Sequence, residues 1–290
     1  MNCGLRQRLT ILREANAARA AANSAFRARF ASLHFTSLHF TSFPSPRAVE
    51  AAYAIANDLD APIDLSVQEL VDCDEKNQGC SGGLMDYAFA WEEKEGGMCS
   101  DADYPYSSGD THLQGECNDN QCESVEGSGL FDFVDVEANN PKALKRALAR
   151  QPVSIAIEAD NLGFRFYSSG VYNGRCGTML DHGVLAVGYG KQEKPPQELQ
   201  FPHPFRHDGE FWLVKNSWGT GWGDNGYIKL YRDDDAGPGM CGILMQASYP
   251  EMKSSEEIEE EQVVPDEDVP AEPEEIKTEE QVQYEYTVMR

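Results

Sequence analysis

Lys215-Asn-Ser-Trp-Gly-Thr-Gly-Trp-Gly-Asp-Asn-Gly-Tyr227 is the stretch on which the reading of this 290-residue chain turns. Taken alone it is a glycine-rich hairpin with core tryptophans. Its chemistry suits a second role, in which Asn216 holds an imidazole by the second ring nitrogen and Trp218 keeps water off that hydrogen bond. An imidazole stands upstream in Asp181-His182-Gly183, at the head of the apolar run Val184 to Gly188. Further upstream, Gln78-Gly-Cys-Ser-Gly-Gly-Leu84 sets Gly82 and Gly83 in succession, leaving backbone bare enough for an extended ligand strand to pair with it. Each piece has a purely structural reading by itself. Together they supply an imidazole, an orienting amide, an aromatic shield and a peptide-binding ledge.

The surrounding sequence predicts helices first and strands later. Ala48 to Asn57 puts Val49, Ala52, Tyr53 and Ala56 on one helical face. Ser66 with Glu69 forms a capping box ahead of Leu70 and Val71. Leu84 to Lys94 has a broad apolar face of Leu84, Met85, Ala88, Phe89 and Trp91, and Asn140-Pro141 opens a helix with Leu144, Ala147 and Leu148 inward. Val153 to Ile157, Gly183 to Tyr189, Phe211 to Lys215 and Tyr227 to Tyr231 read as strands. Lys191 to Asp208 is a polar, proline-bearing loop. This order predicts an α+β fold of two subdomains with a cleft between them.

Charge is distributed unevenly. Residues 1–47 carry seven Arg and a single acid, Glu14, whereas residues 251–290 carry fifteen acids, within a net charge of −25. So negative a field repels phosphate and argues against nucleic acid as a partner, and no apolar run reaches the roughly 18 residues of a membrane span. The acidic tail beyond Pro250 has few apolar residues and is expected to be disordered. Leu5 to Phe30 is rich in Ala and Arg and reads as helix. It is followed by a tandem repeat, Ser32-Leu-His-Phe-Thr36 and Ser37-Leu-His-Phe-Thr41. Met1 to Gln7 lacks the apolar block of a secretory signal. The eight cysteines, Cys3, Cys73, Cys80, Cys99, Cys117, Cys122, Cys176 and Cys241, lack the two-residue spacing of a zinc knuckle. They read as disulfides, which belong to an oxidising compartment.

Gly79-Cys-Ser-Gly-Gly83, then Asp181-His-Gly183, then Asn216-Ser-Trp-Gly219 with Gly221-Trp-Gly223, closely resemble the papain and cathepsin L cysteine peptidases. The likeness runs over about 200 residues, from Ala48 through Ser66-Val-Gln-Glu-Leu-Val-Asp-Cys73, Asp103-Tyr-Pro-Tyr106 and Gln151-Pro-Val-Ser154 to Ser248-Tyr-Pro250. The resemblance implies a papain-like fold, helical on one side and an antiparallel barrel-like sheet on the other, incomplete at its N-terminal side. Residues 48–250 form the peptidase domain, 48–134 mainly helical and 135–250 mainly β, between an N-terminal segment, 1–47, and the tail, 251–290. It implies His182 as general base, Asn216 as its orienting residue and Trp218 as the shield. Gly82 and Gly83 match the substrate ledge. Leu84, Met85, Ala156, Leu180 and Gly183 match the walls of the pocket for the side chain second from the scissile bond, with Gln246 at its far end. Cys176 pairs with Cys241, Cys73 with Cys117 or Cys122, and Cys99 with the other. No metal or organic cofactor is implied. Partners are protein or peptide substrates, a propeptide and cystatin-like inhibitors, and the address is lysosomal, vacuolar or secreted.

One segment of the pattern is missing. Family members carry Gln-Gly-x-Cys-Gly-Ser-Cys-Trp-Ala-Phe-Ser ahead of the helix that ends in a Val-Glu like Val49-Glu50, and its second cysteine is the nucleophile. Counting back from Glu50 lands on Phe40, inside the tandem repeat, and Phe43 coincides with the family phenylalanine. Pro44 and Pro46 are expected to interrupt that helix, and Cys80 is expected to lack its partner, which leaves the first subdomain weakened. Arg8, Ile11, Leu12, Asn16 and Asn23 loosely resemble the family's propeptide helix. An Arg-rich, acid-poor head also fits a generic helix or an organellar transit peptide. The chain as written reads as inactive in peptide cleavage, through either a defective gene model or a true loss. In the latter case it is a catalytically dead homologue that binds extended peptides or a partner peptidase.

Overall fold

The computed structural model describes residues 44–118, 122–192 and 209–252. The Ala/Arg-rich head, its tandem repeat, residues 193–208 of the polar loop and the acidic tail lie outside the described residues. The elements follow in order as α1 (Pro44–Ala56), α2 (Val67–Cys73), α3 (Met85–Glu95), α4 (Ser108–Thr111), β1 (Asp132–Asp135), α5 (Pro141–Leu148), β2 (Val153–Ile157), α6 (Leu162–Arg165), β3 (Val171–Tyr172), β4 (His182–Gln192), β5 (Gly209–Lys215), β6 (Tyr227–Tyr231) and β7 (Ala247–Glu251). The fold is α+β, helices leading and strands following. Among the described residues no helix is long and apolar enough to cross a membrane.

Local chemistry sets the helix starts. Asn140 Oδ1 accepts the N–H groups of Lys142 (3.0 Å) and Ala143 (3.1 Å) at the head of α5, and Leu144, Ala147 and Leu148 are buried as the periodicity predicts. At α2, Ser66 Oγ accepts from Glu69 N–H at 3.0 Å. The other half of the predicted box goes elsewhere: Glu69 Oε2 accepts from Cys99 N–H at 2.8 Å, and Ser66 N–H donates to the Cys99 carbonyl at 2.8 Å. The cap therefore cross-links α2 to a distant segment.

Two expectations about the N-terminal side are corrected. Pro44 and Pro46 do not break α1; they lie in its first turn, where an N–H would have no intrahelical acceptor. Its buried face is Ala48, Val49, Ala51, Ala52 and Ala54, while Tyr53 is turned aside, half-buried, with its hydroxyl on the Glu126 carbonyl at 3.0 Å. Cys80 is disulfide-bonded rather than left without a partner. The other pairs are Cys73–Cys117, Cys99–Cys122 and Cys176–Cys241.

The seven strands form a sheet of order β1-β7-β2-β4-β5-β6-β3, antiparallel except for the β3–β6 pair. One core packs against the sheet around Ile155, Ile157, Phe164, Tyr172 and Trp212. A second, of Val49, Leu65, Leu70, Phe89 and Met98, fills the helical side and takes in Leu185 from β4. Within that side, Glu50 is fully buried and answered by Arg47 Nη1, 2.7 Å from both carboxylate oxygens, and by Leu65 N–H at 3.1 Å.

Glu92 on α3 has no such answer. It is 1 % exposed, and neither carboxylate oxygen has a hydrogen-bond partner among the described residues. Burial first, then the charges of Glu69, Asp74 and Glu50, push its carboxyl well above the ordinary range. A carboxyl raised on folding binds more protons in the native than in the unfolded state. Its stabilising share is therefore complete below the ordinary carboxyl range and is lost as pH rises toward the folded value. Replacing Glu92 with Leu is expected to raise stability at neutral pH by about 1–3 kcal/mol and to flatten the fall in denaturant midpoint on going from acid to neutral pH. Equal pH slopes for the two proteins would show that Glu92 is not the group responsible.

Candidate active site

His182 opens β4 and stands opposite Ile157 of β2, while Asn216 follows the last residue of β5, whose Lys215 pairs with Leu185. The sheet thus brings together two side chains 34 residues apart. His182 Nε2 lies 2.8 Å from Asn216 Oδ1. Which end of the amide faces the ring is fixed locally, because the same Oδ1 accepts Ser217 N–H at 2.8 Å. An oxygen there requires the ring to donate from Nε2, which leaves Nδ1 as the basic nitrogen of the neutral imidazole. Asn216 N–H is itself anchored on the Gly226 carbonyl at 2.9 Å, across the hairpin.

Trp218 stacks on the imidazole, ring centroids 5.2 Å apart and planes at 30°. Trp222 and Phe164 meet Trp218 edge-on, at 5.2 and 5.5 Å. His182 and Asn216 are consequently 7 % and 3 % exposed. Burial lowers the imidazole's proton affinity below its usual value, and the Asn216 hydrogen bond and the Asp181 charge oppose that. The approach to His182 is braced by carboxylates. Asp181 Oδ1 accepts Ala159 N–H at 2.8 Å, and Glu158 accepts Gly177 and Met179 N–H, each at 2.7 Å.

His182 faces a cleft of about 250 Å³. On the sheet side it is lined by Ala156, Leu180, Asp181, Gly183 and Gln246, and on the helical side by Gly82, Gly83, Leu84 and Met85. Every residue named above for the ledge and pocket borders this space, and Asn216 and Trp218 stand behind the imidazole. Sequence reasoning missed Ser45, Asn77, Ser81 and Ala88 as lining residues. Ser45 and Ala88 are small residues on helices, without a signal of their own. Asn77 had none either, since Asn is common in turns and its partner Leu84 lies seven residues on. As for metal, Glu69, Cys99 and Cys122 bring their ligand atoms within 4.8 Å of one another, but the two sulfurs are joined in a disulfide, which removes them as thiolate ligands.

A buried imidazole with one nitrogen tied to an amide and the other available, in a groove that also exposes a glycine backbone, is equipped to take a proton from a thiol beside an extended peptide. Residues 41–251 match the family model described as Papain family cysteine protease. The probable cysteine protease RD21B of Arabidopsis thaliana is 49 % identical over 189 residues, covering 65 % of this chain and 37 % of that protein. The cysteine endopeptidase RepA of Oryza sativa is 47 % identical over 191 residues, covering 65 % of this chain and 46 % of that one. The chain thus spans less than half the length of either relative. Among solved structures, the ragweed pollen allergen Amb a 11 in its proform superposes with a TM-score of 0.62 at 39 % identity, over 73 % of this chain and 58 % of that one. A Carica candamarcensis cysteine protease in complex with E-64 gives 0.62 at 34 %, over 73 % and 87 %. With most of its length matched by the family model, and with the imidazole–amide pair set in the cleft, the chain belongs to the papain family of cysteine proteases.

Proposed function

We propose that the cleft is the substrate site of a papain-type cysteine endopeptidase, with His182 as general base and acid and Asn216 as the residue that orients it. The observation that carries this reading is the Nε2–Asn216 hydrogen bond, which reserves Nδ1 for a thiol on the cleft side. In the complete reaction a thiolate attacks the scissile carbonyl, the imidazolium protonates the leaving amine, and water activated by the same imidazole releases the acyl group. Trp218 shields the His–Asn bond from water. Leu84, Met85, Ala156 and Leu180 favour Leu, Phe or Val at the side chain second from the scissile bond, and Gln246 narrows or polarises the far end of that pocket. The disulfides and the net charge of −25 support an acidic, oxidising compartment of lysosomal, vacuolar or secreted type. A propeptide and cystatin-like inhibitors are partners of the same cleft.

The second reading is a peptide-binding protein without turnover. The sequence favours it in one respect: no cysteine stands between Cys3 and Cys73, and counting back from Glu50 by the family spacing lands on Phe40. The discriminating experiment compares the chain as written with a form carrying Gln-Gly-x-Cys-Gly-Ser-Cys-Trp-Ala-Phe-Ser ahead of α1, on a fluorogenic peptide with Leu second from the scissile bond. No turnover is expected from the first and clear turnover from the second. Hydrolysis by the chain as written would overturn the assignment of an absent nucleophile, and a folded but inactive restored form would overturn the peptidase reading.

Within the restored form, His182→Ala is expected to lower kcat by roughly a thousandfold or more. Asn216→Ala is expected to cost less and to change the pH profile, because the imidazole then loses its orientation and its hydrogen-bond acceptor. Steady-state kinetics across pH check both. An unaltered profile in the Asn216 variant would remove that residue from the mechanism.

A further inference from the structure

We propose that Asn77, held in place by Asp74, is a positioning residue for peptide binding: its carboxamide pins the backbone of Leu84 and thereby presents the free backbone rung at Gly83. The inference rests on the cleft being a peptide site, as argued above.

An account of the backbone groups along the ledge leads to it. Gly82 N–H donates to the Gly79 carbonyl at 3.1 Å, and the Gly82 carbonyl accepts Gln78 N–H at 2.8 Å. Leu84 N–H donates to Asn77 Oδ1 at 2.8 Å, and the Leu84 carbonyl accepts Asn77 Nδ2 at 3.2 Å. Between these two saturated residues, the N–H and C=O of exposed Gly83 have no hydrogen-bond partner among the described residues. A free N–H and C=O on one residue are what an antiparallel strand needs for a two-bond rung. Leu84 is extended, and an extended residue directs its N–H and C=O away from the side used by its neighbour, so a side chain bonded to Leu84 leaves the groups of Gly83 open. The carboxamide of Asn77 replaces a neighbouring strand.

Glycine at position 83 serves the same arrangement. A methyl group there would overlap the Asn77 carboxamide, so the residue is small because the tether lies against it as well as because a ligand approaches. The tether is itself fixed. Asp74 is 1 % exposed; its Oδ2 accepts Asn77 Nδ2 at 2.5 Å and its Oδ1 accepts Lys76 N–H at 3.0 Å and Asn77 N–H at 3.4 Å. The preceding residue, Cys73, is bonded to Cys117. Asn77 therefore has little rotamer freedom left to lose when a peptide binds.

The test uses the full chain and two probes: a blocked apolar peptide with Leu as the residue entering the pocket, and the same peptide N-methylated at that residue, which deletes one hydrogen bond of the rung. Wild type is expected to bind the parent about tenfold more tightly than the methylated analogue. In Asn77→Ala the parent weakens toward the analogue, and the gap closes to about twofold. Asn77→Asp keeps an acceptor for Leu84 N–H but loses both donations, to Asp74 and to the Leu84 carbonyl. It is nearly isosteric, so it reports even where the Ala variant fails to fold, and the same narrowing is expected. A tenfold gap retained in a folded variant overturns the tether and leaves the peptide cleft standing. Wild type that binds neither probe overturns both.

Discussion

The pairing register of β4 on β5 is the constraint on which the site depends. Leu185 faces Lys215 across that ladder, and from this single correspondence His182, three residues before, and Asn216, one residue after, come within hydrogen-bonding distance. A slip of one residue would turn the alternate side chains of β4 over, taking Leu185 out of the helical core and the imidazole away from the amide. The apolar burial of Leu185 among the helices and the chemistry at His182 are thus secured by the same ladder. Stability of the core and geometry of the site are one property of the fold.

Much of this was legible in the sequence because the relevant signals are local. The Asn140-Pro141 start, the Ser66 cap and the strands at Val153 and Tyr227 each rest on a few adjacent residues whose preferences agree with their surroundings. What escaped was set by partners distant along the chain. β1 is four residues long with an Asp at each end, and only its pairing with β7 makes it a strand. β7 contains Pro250, which argues against a strand that is paired on both sides. The contradiction dissolves in the register, since β2 meets only Ala247 and Ser248, and Pro250 lies past the doubly paired part. Glu69 reads as the second half of a capping box, yet Cys99 competes for its carboxylate.

The same division runs through the candidate site. Imidazole, amide, tryptophan and paired glycines carry signatures in residue type and order, and they assemble around one cleft. Asn77 does not stand out by type, because Asn is common in turns. Its part emerges only when each backbone group of the ledge is followed to its partner and a single residue remains unsatisfied. Glu50 and Glu92, two buried carboxyls on the helical side, make the complementary point. One is met by an arginine and a backbone N–H, the other by nothing among the described residues. Burial raises the proton affinity of both carboxyls, but at Glu50 the arginine and the N–H oppose it, whereas at Glu92 the neighbouring acids add to it.

The cross-links on the helical side interleave. The span from Cys73 to Cys117 encloses Cys99, and the span from Cys99 to Cys122 encloses Cys117. Any one cut in the backbone between residues 73 and 122 therefore leaves the two pieces covalently joined, and that interval contains the glycine ledge, Asn77 and all of α3. Clipping by a neighbouring hydrolase would change the number of chain ends without releasing a fragment. The glycine ledge and Asn77 thus stay tied to the rest of the chain through at least one sulfur bridge wherever such a cut falls.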